Sequence, residues 1–597
     1  MEIDDWPNLV EMFFARAAER GERPFLWERI DGVYRPTSWS DAAAQISALA
    51  ASLRAYGLGP GDRVLLLSHN SPRWVIADFA IMTAGGVTVP VYTTNTVANH
   101  AHVIRDSGAT MAIVSTATLA GPFLEAASGF DSLKRVIAME PPGREAGAGT
   151  VVSGWEEALA DGRESVGPIR DAAKAIARDA IAVVIYTSGT GGEPKGVMLS
   201  HRSIIANCVG AADILYEVGL DDEVFLSFLT LSHAYEHSAG LMFPVSIGAQ
   251  IYFAERVDTL TTNLPEARPT IMTAVPRLYE VMRERILKGI AREGGAKAWF
   301  FQKAVDLGRK RYEGTRMALW EKALDQLVDR IVRDKIRERF GGRLKALVSG
   351  GAPLNYEVGV FFTALGLRLL QGYGQTEAGP IIACNRVNLA KLRTVGPPMK
   401  HVDLRIAEDG EILVRGPLLM DGYLNHPDAT AAVLQDGWLH TGDIGVLDED
   451  RYLRITDRKK DIIVNSAGET ISPLRIESTL ALEPEIGAAM AVGDNRPHMV
   501  AIVVPAPTFT AEWAKANNVE DDLTRLAGND AFRSALGRAI DRANRSLGPA
   551  ERIKRFVIAD QPFTIENGMI TPTMKLRRHV IIERWKPAVD RLYDGRD

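Results

Sequence analysis

Cysteine is nearly absent: Cys208 and Cys384 are the only two among 597 residues. Two distant thiols make neither a disulfide framework nor a cysteine metal cluster, and their scarcity fits a reducing compartment. An excess of one charge is missing too. The 69 basic and 75 acidic residues leave a formal net charge of −6, so no broad basic field is present and nucleic acid is not an expected partner. No apolar run reaches the roughly 18 residues that a membrane-spanning helix needs. The most apolar stretches, Ala80–Tyr92 and Leu241–Ala254, are short and broken by Gly or Pro. Residues Met1 to Trp6 are acidic with no apolar core and do not read as a signal peptide. Internal repeats and low-complexity tracts are lacking as well. The expected setting is cytoplasmic, with a peripheral membrane contact and the oligomeric state (monomer or homodimer) left open.

What is present is ordinary globular material: 46% hydrophobic and 24% charged residues. The length implies more than one domain. Short β-branched runs at Arg63–Ser68, Met111–Ser115, Ile181–Tyr186, Gln250–Phe253 and Leu344–Ser349 read as strands. Trp39–Tyr56 and Ser71–Ala84 read as amphipathic helices, the second with Pro72 in its first turn. Such alternation predicts an α/β fold of parallel-rich sheets covered by helices. From Pro276 to about Phe340 strand signals vanish, and a helical insertion is expected. Asp403–Val414 and Tyr452–Thr456 read as a small antiparallel β-subdomain. Beyond Asp457 a smaller α+β unit follows, with strands at Ala488–Val492, Val500–Val504 and Arg555–Ala559 and helices at Pro473–Leu482 and Asp530–Leu547. The expected division is residues 1–456, a hinge at 457–461, and a mobile C-terminal domain at 462–597.

The most informative stretch is Tyr186-Thr-Ser-Gly-Thr-Gly-Gly-Glu-Pro-Lys-Gly196, after an apolar strand and before a helix that Ser200 can cap. Glycines let backbone N–H groups approach phosphate oxygens. Thr187, Ser188 and Thr190 add hydroxyls, Gly189 and Gly191 add room, and Lys195 adds charge. It is not a Walker loop, which ends in Gly-Lys-Ser/Thr, nor a dinucleotide fingerprint, because Pro194 occupies the third glycine position.

This stretch resembles the signature of the adenylate-forming superfamily of acyl-CoA synthetases, luciferases and adenylation domains. Gly191 departs from it, standing where members usually carry Thr; a weaker phosphate grip is expected. Further motifs follow in the family's order over nearly the whole chain. Leu231-Ser-His-Ala-Tyr-Glu-His237 resembles the acyl-pocket motif, implying pocket roles for His233, Tyr235 and His237; buried or helix-capping histidines are the alternative. Ala274-Val-Pro-Arg-Leu-Tyr-Glu280 and the insertion resemble the long-chain branch. Ser349-Gly-Gly-Ala-Pro353 implies adenine contacts from Gly350, Gly351 and Ala352. Gln371-Gly-Tyr-Gly-Gln-Thr-Glu377 implies nucleotide contacts from Gln371, Gly372, Tyr373, Gly374 and Thr376. Glu377 is then a Mg²⁺ ligand, with Thr187 as the second metal-site residue.

Asp436-Gly-Trp-Leu-His-Thr-Gly-Asp-Ile-Gly445 resembles the opening of the fatty-acyl-CoA synthetase signature, and Asp443 would accept the ribose hydroxyls. Leu447 and Glu449 stand where that signature continues with Trp and Pro. The same resemblance gives Arg458 a ribose contact, Lys460 the hinge pivot and Gly468 a place beside the pantetheine of coenzyme A. In Thr571-Pro-Thr-Met-Lys-Leu-Arg-Arg578 it makes Lys575 the adenylation lysine; alone, Lys575 would read as part of a basic surface patch. The implied activity is long-chain fatty acid:CoA ligation, with ATP, Mg²⁺ and coenzyme A and through an acyl-adenylate. The catalytic residues would be Lys575, Thr376 and Glu377. The alternatives are loading of a carrier protein and adenylation of another carboxylic acid.

Overall fold

The computed structural model describes residues 2–147, 149–163, 166–187, 193–571 and 575–594. Two eight-stranded sheets form its bulk. In the first, five neighbouring pairs run parallel, through Pro24–Ile30, Gln250–Phe253, Val224–Ser227, Ile271–Ala274, Ala346–Ser349 and Leu369–Gly374. Antiparallel strands Val33–Ser38 and Ile381–Cys384 close its two edges. In the second, Val87–Pro90, Arg63–Leu67, Met111–Val114, Arg135–Ala138 and Val151–Gly154 extend parallel from Ile181–Thr187.

Side chains alternate across a strand, and here both faces are covered. Val64 and Leu66 pack toward the space between the sheets, with Trp39, Trp74, Phe79 and Ile204 from helices Trp39–Ala55, Pro72–Thr83 and His201–Leu215. Leu65 and Leu67 pack on the opposite side with Ile104 and Phe123. Double burial explains why these strands read as continuous apolar runs. Ser71 caps the second helix by accepting from Trp74 N–H, with Pro72 in the first turn.

The phosphate-loop surroundings correct one expectation. The loop does not run directly into a helix. Strand Lys195–Ser200 intervenes, pairing antiparallel with Ile181–Thr187 so that Thr187 faces Lys195. Ser200 does stand at the start of helix His201–Leu215, but its side chain makes no capping hydrogen bond.

The insertion is helical, as Pro276–Glu293, Gly295–Tyr312, Leu319–Val328, Asp329–Arg333 and Asp334–Arg339. It packs on the far face of the first sheet, where Tyr279, Phe301, Ile336 and Phe340 meet Leu347, Phe362 and Leu369. A five-stranded antiparallel sheet follows, in which Leu453–Arg458 pairs with Trp438–Leu447. Asp457 and Arg458 are the last two residues of that strand. The C-terminal unit holds strands Ile463–Val464 and Thr470–Ile471 and a three-stranded sheet, Ile486–Val492, Met499–Pro505 and Ile553–Ile558. Among the described residues no helix is long and apolar enough to cross a membrane.

Candidate active site

The C-terminal ends of parallel strands from both sheets meet the small β-subdomain at one cleft. Its cavity measures about 640 Å³. Loops leaving the carboxyl ends of parallel strands are where open α/β folds bind ligands. Thr187 ends its strand there, and Lys195 opens the partner strand beside it. Gly350 and Gly351 follow strand Ala346–Ser349, and Gly372 to Glu377 leave strand Leu369–Gly374. Two glycines have steric reasons. A Cβ on Gly350 would stand 2.9 Å from the Tyr235 ring. One on Gly374 would collide with the Pro380 carbonyl, across the pairing with the edge strand.

Charged groups are wired together at this end. The Tyr373 hydroxyl donates to Asp443 Oδ2 at 2.6 Å, and Arg458 Nε lies 3.2 Å from Asp443 Oδ1. Asp443 and Arg458 are register partners on adjacent strands, so the backbone itself sets this pair. Burial, then the Asp443 charge, holds the Tyr373 phenol well above its ordinary pKa, so it stays a donor. The Tyr423 hydroxyl donates to Glu377 Oε1 at 2.8 Å, and Lys195 Nζ stands 5.1 Å from the centre of the Tyr423 ring.

Lys575 lines the same cavity. By area the residue is exposed, yet the cleft walls desolvate its ammonium. Desolvation and the Arg458 charge lower its pKa, while Asp443 and Glu377 oppose the shift. Lys460 also lines the cleft. The unpredicted Lys459 beside it is bridged to Asp409 at 2.6 Å and Glu411 at 2.9 Å.

The opposite end is apolar. Ala211, Ile214 and Leu215 come from helix His201–Leu215, Phe225 and Ile271 from the starts of their strands, and Phe243 from the first position of the short helix Phe243–Ser246. Between the two ends stand His233, Tyr235 and Thr273. His233 Nδ1 accepts from the Tyr235 N–H at 3.1 Å. Its remaining ring nitrogen, Nε2, then carries the hydrogen. Desolvation, with the Lys575 charge, pulls its pKa down to about 4 and keeps the ring neutral. Tyr235 donates to the Val348 carbonyl at 3.0 Å.

His237 departs from expectation. It is fully buried, with Nε2 3.1 Å from Asp78 Oδ2, and does not line the cavity. The His237 N–H donates to the His233 carbonyl at 3.0 Å, and the chain winds as a π-helix over Glu236–Met242. Ala352 is exposed and Gln371 is buried; neither lines the cavity. Gly468 lies in the turn between Ile463–Val464 and Thr470–Ile471, away from the cleft wall. Ser188, Gly189, Thr190 and Gly191 lie outside the described residues. Sequence reasoning missed Tyr423, His440 and the whole apolar wall. No local motif marks them.

The donor set fits magnesium. Thr187 and Glu377 present oxygen to one cleft, and Glu377 Oε1 is already held by Tyr423. The described residues hold no cluster of three or more His, Cys, Asp or Glu side chains. Magnesium takes one or two carboxylates and completes its shell with phosphate oxygens and water, so it needs no such cage.

A large α/β domain whose strand ends open on one cleft, with Thr187 and Lys195 in it and a lysine from the C-terminal unit beside them, is the architecture of an adenylate-forming enzyme. The chain belongs to the AMP-binding enzyme family. That family's model matches residues 13–424, and the model of the AMP-binding enzyme C-terminal domain matches residues 460–597. It is 32% identical to the long-chain-fatty-acid–CoA ligase FadD15 of Mycobacterium bovis, over 99% of this chain and 98% of that one. It is 31% identical to the peroxisomal long chain acyl-CoA synthetase 6 of Arabidopsis thaliana, over 95% and 83%. Among solved structures, the adenylation domain of a Mycobacterium chelonae carboxylate reductase superposes with a TM-score of 0.75 at 22% identity, covering 99% of this chain and 92% of that one. An anthranilate CoA ligase bound to anthranoyl-AMP superposes with a TM-score of 0.73 at 19% identity, covering 99% and 100%. These two likenesses concern the fold.

Proposed function

We propose that this chain is a long-chain fatty acid:CoA ligase that works through an acyl-adenylate. The observation that carries the reading is one cavity with a charged end and an apolar end. The acyl chain lies against Ala211, Ile214, Leu215, Phe225, Phe243 and Ile271, and the nucleotide lies toward Thr187, Glu377, Asp443 and Arg458. The carboxylate meets the α-phosphate between them, beside His233 and Lys575.

Both reactants are anions, so their charge must be compensated as they approach. Lys575, Lys195 and Thr187 supply this in a desolvated cleft, where fixed charges act most strongly. Magnesium, held by Glu377 and Thr187, would add charge compensation on the phosphates. Tyr373, Gly350 and Gly351 flank the adenine, while Asp443 and Arg458 take the ribose. Thr376 borders the α-phosphate. The neutral His233 Nε2–H offers one donor to the acid without adding a cation beside Lys575. A carboxylate oxygen bonds to the α-phosphorus, and pyrophosphate leaves.

In the second step the thiolate sulfur of coenzyme A, its proton lost to solvent, bonds to the acyl carbonyl carbon, and AMP leaves with the electron pair. Lys575 has no role there. Rotation of the C-terminal domain about Lys460 withdraws it and brings the Gly468 loop toward the pantetheine arm, a gated two-state motion.

The test is thioester formation from oleate, ATP, Mg²⁺ and coenzyme A. Stoichiometric oleoyl-CoA, AMP and pyrophosphate are expected. Oleoyl-AMP that accumulates without oleoyl-CoA would move the acceptor to a carrier protein. No oleate-dependent exchange between pyrophosphate and ATP would end the reading.

A further inference from the structure

The helical insertion carries two apolar faces, and folding uses only one. Leu324, Val328 and Val332 pack inward against Phe300, Ala304 and Leu307. The outward side of helix Leu319–Val328 carries Leu319, Trp320, Ala323 and Leu327, and the π-helical turn Asp329–Arg333 adds Ile331. Leu319 is 85% exposed, Trp320 66%, Leu327 45% and Ile331 38%. A contiguous stripe of this kind needs an occupant, unlike scattered single residues.

Charge around the stripe selects the occupant. Four of the acids here are held by cations: Glu321 by Lys310, Asp325 by Arg311 and the fully buried Arg333, Asp329 and Asp334 by Arg337. Lys322, Arg330, Lys335 and Arg339 are exposed and have no counter-ion among the described residues; Glu338 is the exposed acid left beside them. Arg330 stands one turn from Leu327, and Lys335 one turn from Ile331. An outward Trp and Leu flanked by unpaired Lys and Arg is the pattern of a helix lying in a bilayer interface.

We infer that the outward face of residues 319–339 docks on an anionic phospholipid surface. The apolar stripe sinks to the level of the acyl-chain boundary, and Arg330 and Lys335 reach the headgroup phosphates. This face does not depend on the ligase reading, but it would place the enzyme where long-chain acids dissolve.

Co-sedimentation without substrate tests it, using vesicles of phosphatidylcholine alone and of an equal mixture with phosphatidylglycerol. The protein should bind the mixed vesicles better, and added salt should weaken that binding. Arg330→Gln with Lys335→Gln should lower the mixed-vesicle partition by roughly 30-fold, about 5-fold per cation. Leu319→Ser with Trp320→Ser should lower it by about tenfold or more. Unchanged thermal midpoints would show that both variants fold. Absence of vesicle binding by the native protein, or partition unaffected by both pairs, overturns the inference. So does a concentration-dependent dimer that both pairs abolish while vesicles remain unbound, which would assign the face to a second copy.

Discussion

At the charged end of the cavity the wall comes mostly from short runs, Gly372 to Glu377, Thr441 with Gly442, and Arg458 to Lys460, joined by the paired Thr187 and Lys195. At the apolar end it comes from residues far apart in sequence, such as Ala211, Phe225, Phe243 and Ile271. Phosphate and metal chemistry need particular donors at particular backbone positions, so each run is constrained locally. A tunnel for an alkyl chain needs only volume and apolar surface, and many combinations of side chains supply those. Substitutions at the two ends should therefore fail in different ways.

The largest effect is expected from Lys575→Ala. Adenylate formation, read as acid-dependent pyrophosphate–ATP exchange, should fall by about 10²–10³-fold or more for acids of every chain length. Thioester formation from supplied acyl-AMP should continue at the native rate. Equal loss in both half-reactions would erase the proposed division of labour. Ala211→Trp should do the reverse at the far end. Long acids should lose about 10–200-fold in kcat/KM, the range set by a mismatched apolar pocket. Short acids and the KM for ATP should change little. A loss independent of chain length would remove Ala211 from the tunnel.

The smallest effect sharpens the border between the ends. Glu236 is fully buried, accepting from Ser227 at 2.6 Å and Thr273 at 2.8 Å. Burial pushes its carboxyl from 4.5 up to about 7. Between those values the folded chain keeps a proton that the unfolded chain has released. Stability from this group is therefore present at low pH and is lost as pH rises through that window, a component of up to roughly 3 kcal/mol. Glu236→Gln removes the titration. Thermal midpoints measured from pH 5 to pH 8 should decline less in the variant than in the native protein. Parallel declines would mean that Glu236 does not titrate there.

The α/β rhythm, the helical insertion and the small C-terminal unit were all legible, because double burial and helical periodicity each leave a pattern in sequence. Strand Gln250–Phe253 has the bounds its pattern implies, and Pro72 opens its helix. Strand Lys195–Ser200 was not legible as a strand, because its pairing with Ile181–Thr187 is settled by the neighbouring chain. The resemblance gave His237 a pocket role, yet its ring is fully buried beside Asp78 and does not line the cavity. The Tyr423–Glu377 and Tyr373–Asp443 bonds join residues 46 and 70 positions apart, a separation no local motif records.

By itself the sequence determined which groups could do the chemistry: a hydroxyl-rich glycine loop, two carboxylates, an arginine and a late lysine. Their local spacing already expresses what phosphate demands of a backbone. Only the tertiary structure decided that Lys575 shares a cleft with Glu377 and Arg458, and that apolar residues from distant segments line the same cavity. It also decided that one face of the insertion stays uncovered. Convergence and exposure are properties of packing between distant segments, and hydrophobic packing is non-directional, so it leaves no short signature in the chain.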